Sequence, residues 1–185
     1  QEWELAIVFV GLYLVLERVS FIHPWTSTGI TPWNPQIALA LGLVLIRGLR
    51  AAPVVLLGML VSEALVRSSP TSFTAVALGA VIMATGYTAA GIALSRRLSM
   101  RGRIRSLRDF AWMLGILSIA PLLIGSVYVG SNALFGLVEW TAFPEVLLRY
   151  WIGDVVGVLA LMPLFLVLAD RAGRRKLAAL LPRWE

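Results

Sequence analysis

The chain has no cysteine, a single histidine, and only 14% charged residues against 59% hydrophobic ones over 185 residues. Without cysteine it can form neither disulfides nor thiolate metal sites. His23, alone and without clustered carboxylates, cannot supply the three or four ligands of a zinc-type centre, so no metal and no cofactor are expected. Also missing are a nucleophile–base pair and a glycine loop placed before a basic residue to cradle phosphate; catalysis within these residues is therefore not expected. A soluble domain carries about 25% charged residues, and this chain falls well short of that. The net charge of +6 could suit nucleic acid. Most of the basic residues, however, sit beside apolar segments, the pattern set by the positive-inside bias and by anionic lipid, so a bilayer rather than a nucleic acid is the expected partner.

What is present is a series of long apolar runs. A membrane barrel would show ten-residue segments alternating with a period of two, so these runs indicate helices. The expected fold is all-α: a polytopic integral membrane bundle of about six transmembrane helices, over residues 3–22, 35–49, 51–66, 72–94, from 109 to between 130 and 138, and a last helix that includes 150–168. Asn34 followed by Pro35 reads as an N-cap with proline in the first turn. The helix they start is about 22 Å long, short of a hydrocarbon core of about 30 Å, so its start is expected to be sunk, with 31–34 lining a cavity. Pro121 is expected to kink the fifth helix.

Arg47, Arg50, the arginines from Arg96 to Arg108 and the basic tail after Asp170 fall on one side of this arrangement, whereas Arg18, Arg67 and Arg149 fall on the other. The arginine-rich side is then cytoplasmic, with both termini inside. Residues 1–170 read as the transmembrane domain, and 171–185 as the basic cytoplasmic start of a linker to an output domain. The chain begins at Gln1 and is expected to be a segment of a longer protein.

The candidate site is organised around Asp154, a carboxylate within an apolar run. A charge there costs about 2.5 to 3.5 kcal/mol on insertion scales, which should turn it inward. Gly153 and Gly157 flank it with a spacing that allows another helix to approach, a structural seam. Glu17, Arg18, Glu63 and Arg149 are expected at the same outer layer, with Trp33, Asn34 and Trp151 nearby. Together they would form a charged and aromatic cup, open to the outside, for a small ligand. Each residue also has a plainer reading. Asp154 could pair with Arg18 or Arg149 purely to close the bundle. Glu17 and Arg18 could snorkel, Glu63 could sit on a solvated rim, and the tryptophans could be interfacial anchors. Tyr87 is expected to be a packing residue whose hydroxyl finds a partner.

Pro32, Trp33, Asn34 and Pro35, followed late in the chain by Trp151, Gly153, Asp154, Gly157, Val158, Pro163 and Leu164, resemble the first class of membrane-associated sensor domain (MASE). The resemblance implies an input module of a sensor histidine kinase, diguanylate cyclase or phosphodiesterase in a bacterial cytoplasmic (inner) membrane. Such a module would be joined to a cytoplasmic output domain, with a homodimer expected by analogy. A small-molecule ligand arriving from the outer side and signalling through the last helix is the expected mechanism. Two alternatives are a substrate-binding six-helix subunit of a vitamin or metabolite transporter and a purely structural anchor.

Overall fold

The computed structural model describes residues 2–20, 33–67, 72–97 and 106–169. The described residues form six α-helices: α1 (Glu2–Ser20), α2 (Pro35–Arg47), α3 (Ala52–Ser62), α4 (Phe73–Arg97), α5 (Leu107–Leu134) and α6 (Phe143–Ala169). A 3-10 turn, Gly48–Ala51, joins α2 to α3, and a π-helical turn, Glu63–Arg67, continues α3. All six expected helices are observed, with bounds within a few residues of those expected. The fifth starts at Leu107 rather than near Asp109, because Ser106 caps it: its Oγ accepts from the Asp109 N–H at 3.1 Å. Asp109 then lies in the first turn, where a carboxylate meets the positive end of the helix dipole. Residues 21–32, with His23, Trp25, Thr31 and Pro32, and the arginines from Arg101 to Arg105 lie outside the described residues, as does 170–185.

Four stretches are long and apolar enough to cross a membrane: Pro35–Val66, Phe73–Arg97, Leu107–Leu134 and Phe143–Leu166. The first is not one straight rod. If it were, its 32 residues would place their ends about 48 Å apart. Instead both ends lie at the level of the first half of α6. The Asn34 N–H donates to the Gly153 carbonyl at 3.0 Å. Glu63 accepts from the Tyr128 hydroxyl at 3.2 Å, and the Tyr128 ring lies 5.4 Å from that of Tyr150. The reversal falls at Gly48, whose φ of 63° lies in the left-handed region that glycine enters without a Cβ penalty. α1 is apolar but carries Glu2, Glu4, Glu17 and Arg18 in 19 residues, too many charges for it to qualify as a span on composition.

The bundle is held close by glycines. Gly42 of α2 faces the Phe165 ring of α6, while Gly157 of α6 faces the Asn34 backbone at the start of α2. These reciprocal contacts run α2 parallel to the second half of α6. On α4, Gly79 and Gly86 receive Tyr128 and Ile124 of α5, and Gly91 receives Val44 of α2. α4 is thereby set between those helices, as its small-residue composition suggests. Large apolar side chains point outward from α1 (Ile7, Val8, Val15) and α5 (Ile119, Leu123, Val127). Such a surface suits hydrocarbon rather than water.

A Cβ at position 157 would overlap the Asn34 backbone, which cannot rotate away as a side chain can. Gly157→Ala should therefore destabilise the bundle by about 1 to 3 kcal/mol. Gly115→Ala, which meets open space, should not destabilise it. Unfolding of both variants in detergent, followed by circular dichroism, tests the contrast.

Candidate functional site

Asp154 is the organising residue of the site. It is the twelfth of the 27 residues of α6, close to the middle of that helix, and is 1% exposed. Both carboxylate oxygens accept hydrogen bonds. Oδ1 takes the Asn34 side-chain amide at 2.6 Å, and Oδ2 takes the Tyr87 hydroxyl. A hydrogen bond to a charged group contributes about 1.5 to 3 kcal/mol, so two of them offset an insertion cost of about 2.5 to 3.5 kcal/mol. The carboxylate thus joins three helices, α2, α4 and α6, through neutral donors.

Asn34 occupies the N-cap position expected of it, but its side chain makes no capping bond to the α2 backbone. It reaches across to Asp154 instead. Its own N–H donates to the Gly153 carbonyl, so backbone and side chain together grip one turn of α6. The absence of a Cβ at Gly157, one turn after Gly153, lets the Asn34 backbone come this close. Gln36, buried at 1% exposure, donates from Nε2 to Asn34 Oδ1 at 3.4 Å, while its Oε1 has no hydrogen-bond partner.

The remaining expected site residues are placed around this junction. Trp33 is half-buried, and its indole N–H donates to Ser20 Oγ at 3.0 Å, tying the start of α2 to the end of α1. Trp151 is half-buried and turns toward α5, donating to the Ser118 carbonyl at 2.7 Å. Glu63, in the π turn, connects to the junction through tyrosines: Tyr128 bonds to it, and Tyr128 packs on Tyr150, which lies beside Tyr87. Glu17 is buried at 3% exposure on α1, and Arg18, its neighbour, is exposed. Arg149 is half-buried and pairs at 2.5 Å with Glu145, one turn earlier in its own helix.

Asn34 and Asp154, both expected near one layer, meet directly, while Arg149 bonds along α6 to Glu145 and Arg18 is exposed. Tyr87, expected to pack and to find a hydroxyl partner, finds Asp154 itself. Gln36 was not anticipated. The available signal was an amide side chain two residues after Asn34 in an otherwise apolar helix. Among the described residues there is no group of three or more histidine, aspartate or glutamate side chains placed to hold a metal ion.

A double-mutant cycle tests this junction. Asn34→Ala and Asp154→Ala should couple by about 1 kcal/mol or more, because each single change strands the other's polar group. Arg149→Ala and Asp154→Ala should be additive to within about 0.5 kcal/mol. Reversible unfolding of the four-variant sets reads both values.

A family model described as MASE1 matches residues 4–183, nearly the whole chain. No curated protein and no solved structure matches it. The match spans both halves of the Asn34–Asp154 junction and every described helix, and the helices are apolar enough for an integral membrane protein. The chain belongs to the MASE1 family, the membrane-embedded sensory input domains that carry no catalytic activity of their own.

Proposed function

We propose that this chain is the input module of a bacterial signalling receptor, lying in the cytoplasmic (inner) membrane with six spans and both termini inside. Residues 1–170 form the sensor, and the basic segment 171–185 leads into an output domain, a histidine kinase or a diguanylate cyclase, that works as a homodimer. The positive-inside bias supports this orientation: Arg47, Arg50, Arg96, Arg97 and Arg108 lie at the ends of helices that meet on one side. The alternating course of the helices, with the reversal at Gly48, supports the span number.

The observation that carries the reading is the junction at Asp154. It fastens the last helix to α2 and α4 by hydrogen bonds in which each helix supplies a different partner. A small ligand acting from the outer side, at the layer of Trp33, Asn34, Trp151, Glu17, Arg18, Glu63 and Arg149, would exchange those bonds for its own and free α6 to shift along the seam at Gly153 and Gly157. Moving such an equilibrium from 1:99 to 99:1 takes a differential affinity of about 5.5 kcal/mol. Two charge-assisted hydrogen bonds are of that order. With Asp154 1% exposed, the present arrangement is the closed member of the pair. The transporter-subunit alternative has no support from the family match.

In the full-length receptor, Asp154→Asn and Trp33→Ala should each change stimulus-dependent output several-fold while leaving the amount of protein in the membrane unchanged. Output that responds to the stimulus just as the wild type does in both variants would falsify the assignment of the signal to this junction.

A further inference from the structure

The hydrogen bonds that lead to Asp154 leave the Gln36 side-chain oxygen without a donor. Gln36 Nε2 donates to Asn34 Oδ1, Asn34 Nδ2 donates to Asp154 Oδ1, and Tyr87 donates to Asp154 Oδ2. In this direction every donor points toward the carboxylate, as an ionised acid requires. The direction also strands Gln36 Oε1, an acceptor on a side chain 1% exposed. A buried acceptor without a donor costs about 1 to 3 kcal/mol.

The same side chains admit the opposite direction. Rotating a carboxamide by 180° about its last bond exchanges its oxygen and its NH2 at the same two positions. If Asp154 Oδ1 carries a proton, it donates to the Asn34 oxygen now facing it. The Asn34 NH2 then donates to the Gln36 oxygen, which has turned toward it. The Gln36 NH2 moves to the place its oxygen held. Backbone carbonyls that already accept one bond keep a second lone pair, so an NH2 at that place has acceptors open to it, whereas the oxygen there has no donor. Tyr87 continues to donate to Oδ2 in both states.

We propose that Asp154 is a proton-binding site, and that the Asn34 and Gln36 carboxamides reverse together to carry the hydrogen bonds of the protonated form. The step takes one proton from water and forms one O–H bond at Oδ1; no other covalent bond changes. The carboxyl meets Asn34 of α2 and Tyr87 of α4; Gln36 of α2 lies behind Asn34, Tyr150 of α6 lies beside Tyr87, and Tyr128 on α5 and the Glu63 it bonds lie behind Tyr150. Protonation replaces an ion-assisted grip of α2 on α6 with a neutral one. Insofar as that change acts as the stimulus, the inference rests on the sensory reading above. The proton site itself does not.

The test is infrared difference spectroscopy of the 185-residue chain in lipid nanodiscs, titrated with pH. The wild type should show a carboxylic-acid C=O band that grows as pH falls and is missing in Asp154→Asn, with side-chain amide bands shifting in step as the carboxamides reverse. Gln36→Met, similar in volume, removes one Asn34 bond from each state and with it the stranded oxygen that disfavours the ionised form, and should lower the acid form at a given pH about tenfold. The proposal is overturned if the wild type has no titrating band that Asp154→Asn removes. It is also overturned if the amide bands stay still while that band titrates, a result that needs no variant to fold. An unchanged titration in folded Gln36→Met would overturn it too. The readout does not involve receptor output. A titrating Asp154 whose substitutions leave output unaltered would sink the sensory role of the junction and keep the proton site.

Discussion

The structure depends on a carboxylate held in the interior of an apolar bundle. Asp154 cannot face hydrocarbon without a penalty, and it cannot be satisfied by its own helix, whose backbone donors are already used. Its donors must come from other helices. Asn34 at the start of α2 and Tyr87 on α4 supply them, and this requirement places α2, α4 and α6 around one point. The apolar surfaces of these helices could pack in several registers, since lipid tails are as apolar as leucine and give little preference. The hydrogen bonds select one.

The glycines let that register be reached. Asn34 can use both its N–H and its side chain on α6 only because its backbone rests directly against Gly157, and α2 can stay close further along because Phe165 fills the space left by Gly42. These contacts also make the seam sensitive. Helices that touch through backbone and flat ring faces resist added volume but have few interlocking side chains to oppose a small slide. The polar junction adds a directional restraint on α6, one that the proposed movement of that helix would have to release.

Around the junction, polar groups are handed off in an orderly way. Trp33 and Trp151, which could have been membrane anchors, each spend their N–H on a neighbouring helix, to Ser20 and to the Ser118 carbonyl. Three of the four tyrosines in the chain, Tyr87, Tyr128 and Tyr150, lie in contact between the Asp154 junction and Glu63 in the π turn. The interior thus has a polar path from the π turn through α5, α6 and α4 within a largely apolar core. π-helical turns of the kind that holds Glu63 are found frequently at functional sites.

The sequence by itself determined the class and most of the scaffold. Apolar runs of spanning length, arginines at their ends and the Pro32–Pro35 and Trp151–Leu164 motifs indicated an all-helical membrane sensor domain and directed attention to Asn34 and Asp154. These features are local or compositional, and desolvation acts on them whatever the partner. Tertiary structure decided who bonds to whom. Nothing near Asn34 in the chain says that its side chain leaves its own helix end, or that Tyr87, 67 residues before Asp154, supplies the second donor. The Glu145–Arg149 pair, four residues apart on one helix, is a local feature, but nothing local says that Arg18, level with Arg149 in an outer-layer reading, is exposed while its neighbour Glu17 is buried. The reason is geometric: which way a side chain faces around a helix depends on how the helices are rotated against one another. That rotation is fixed by contacts more than a hundred residues apart, such as Asn34 against Gly157.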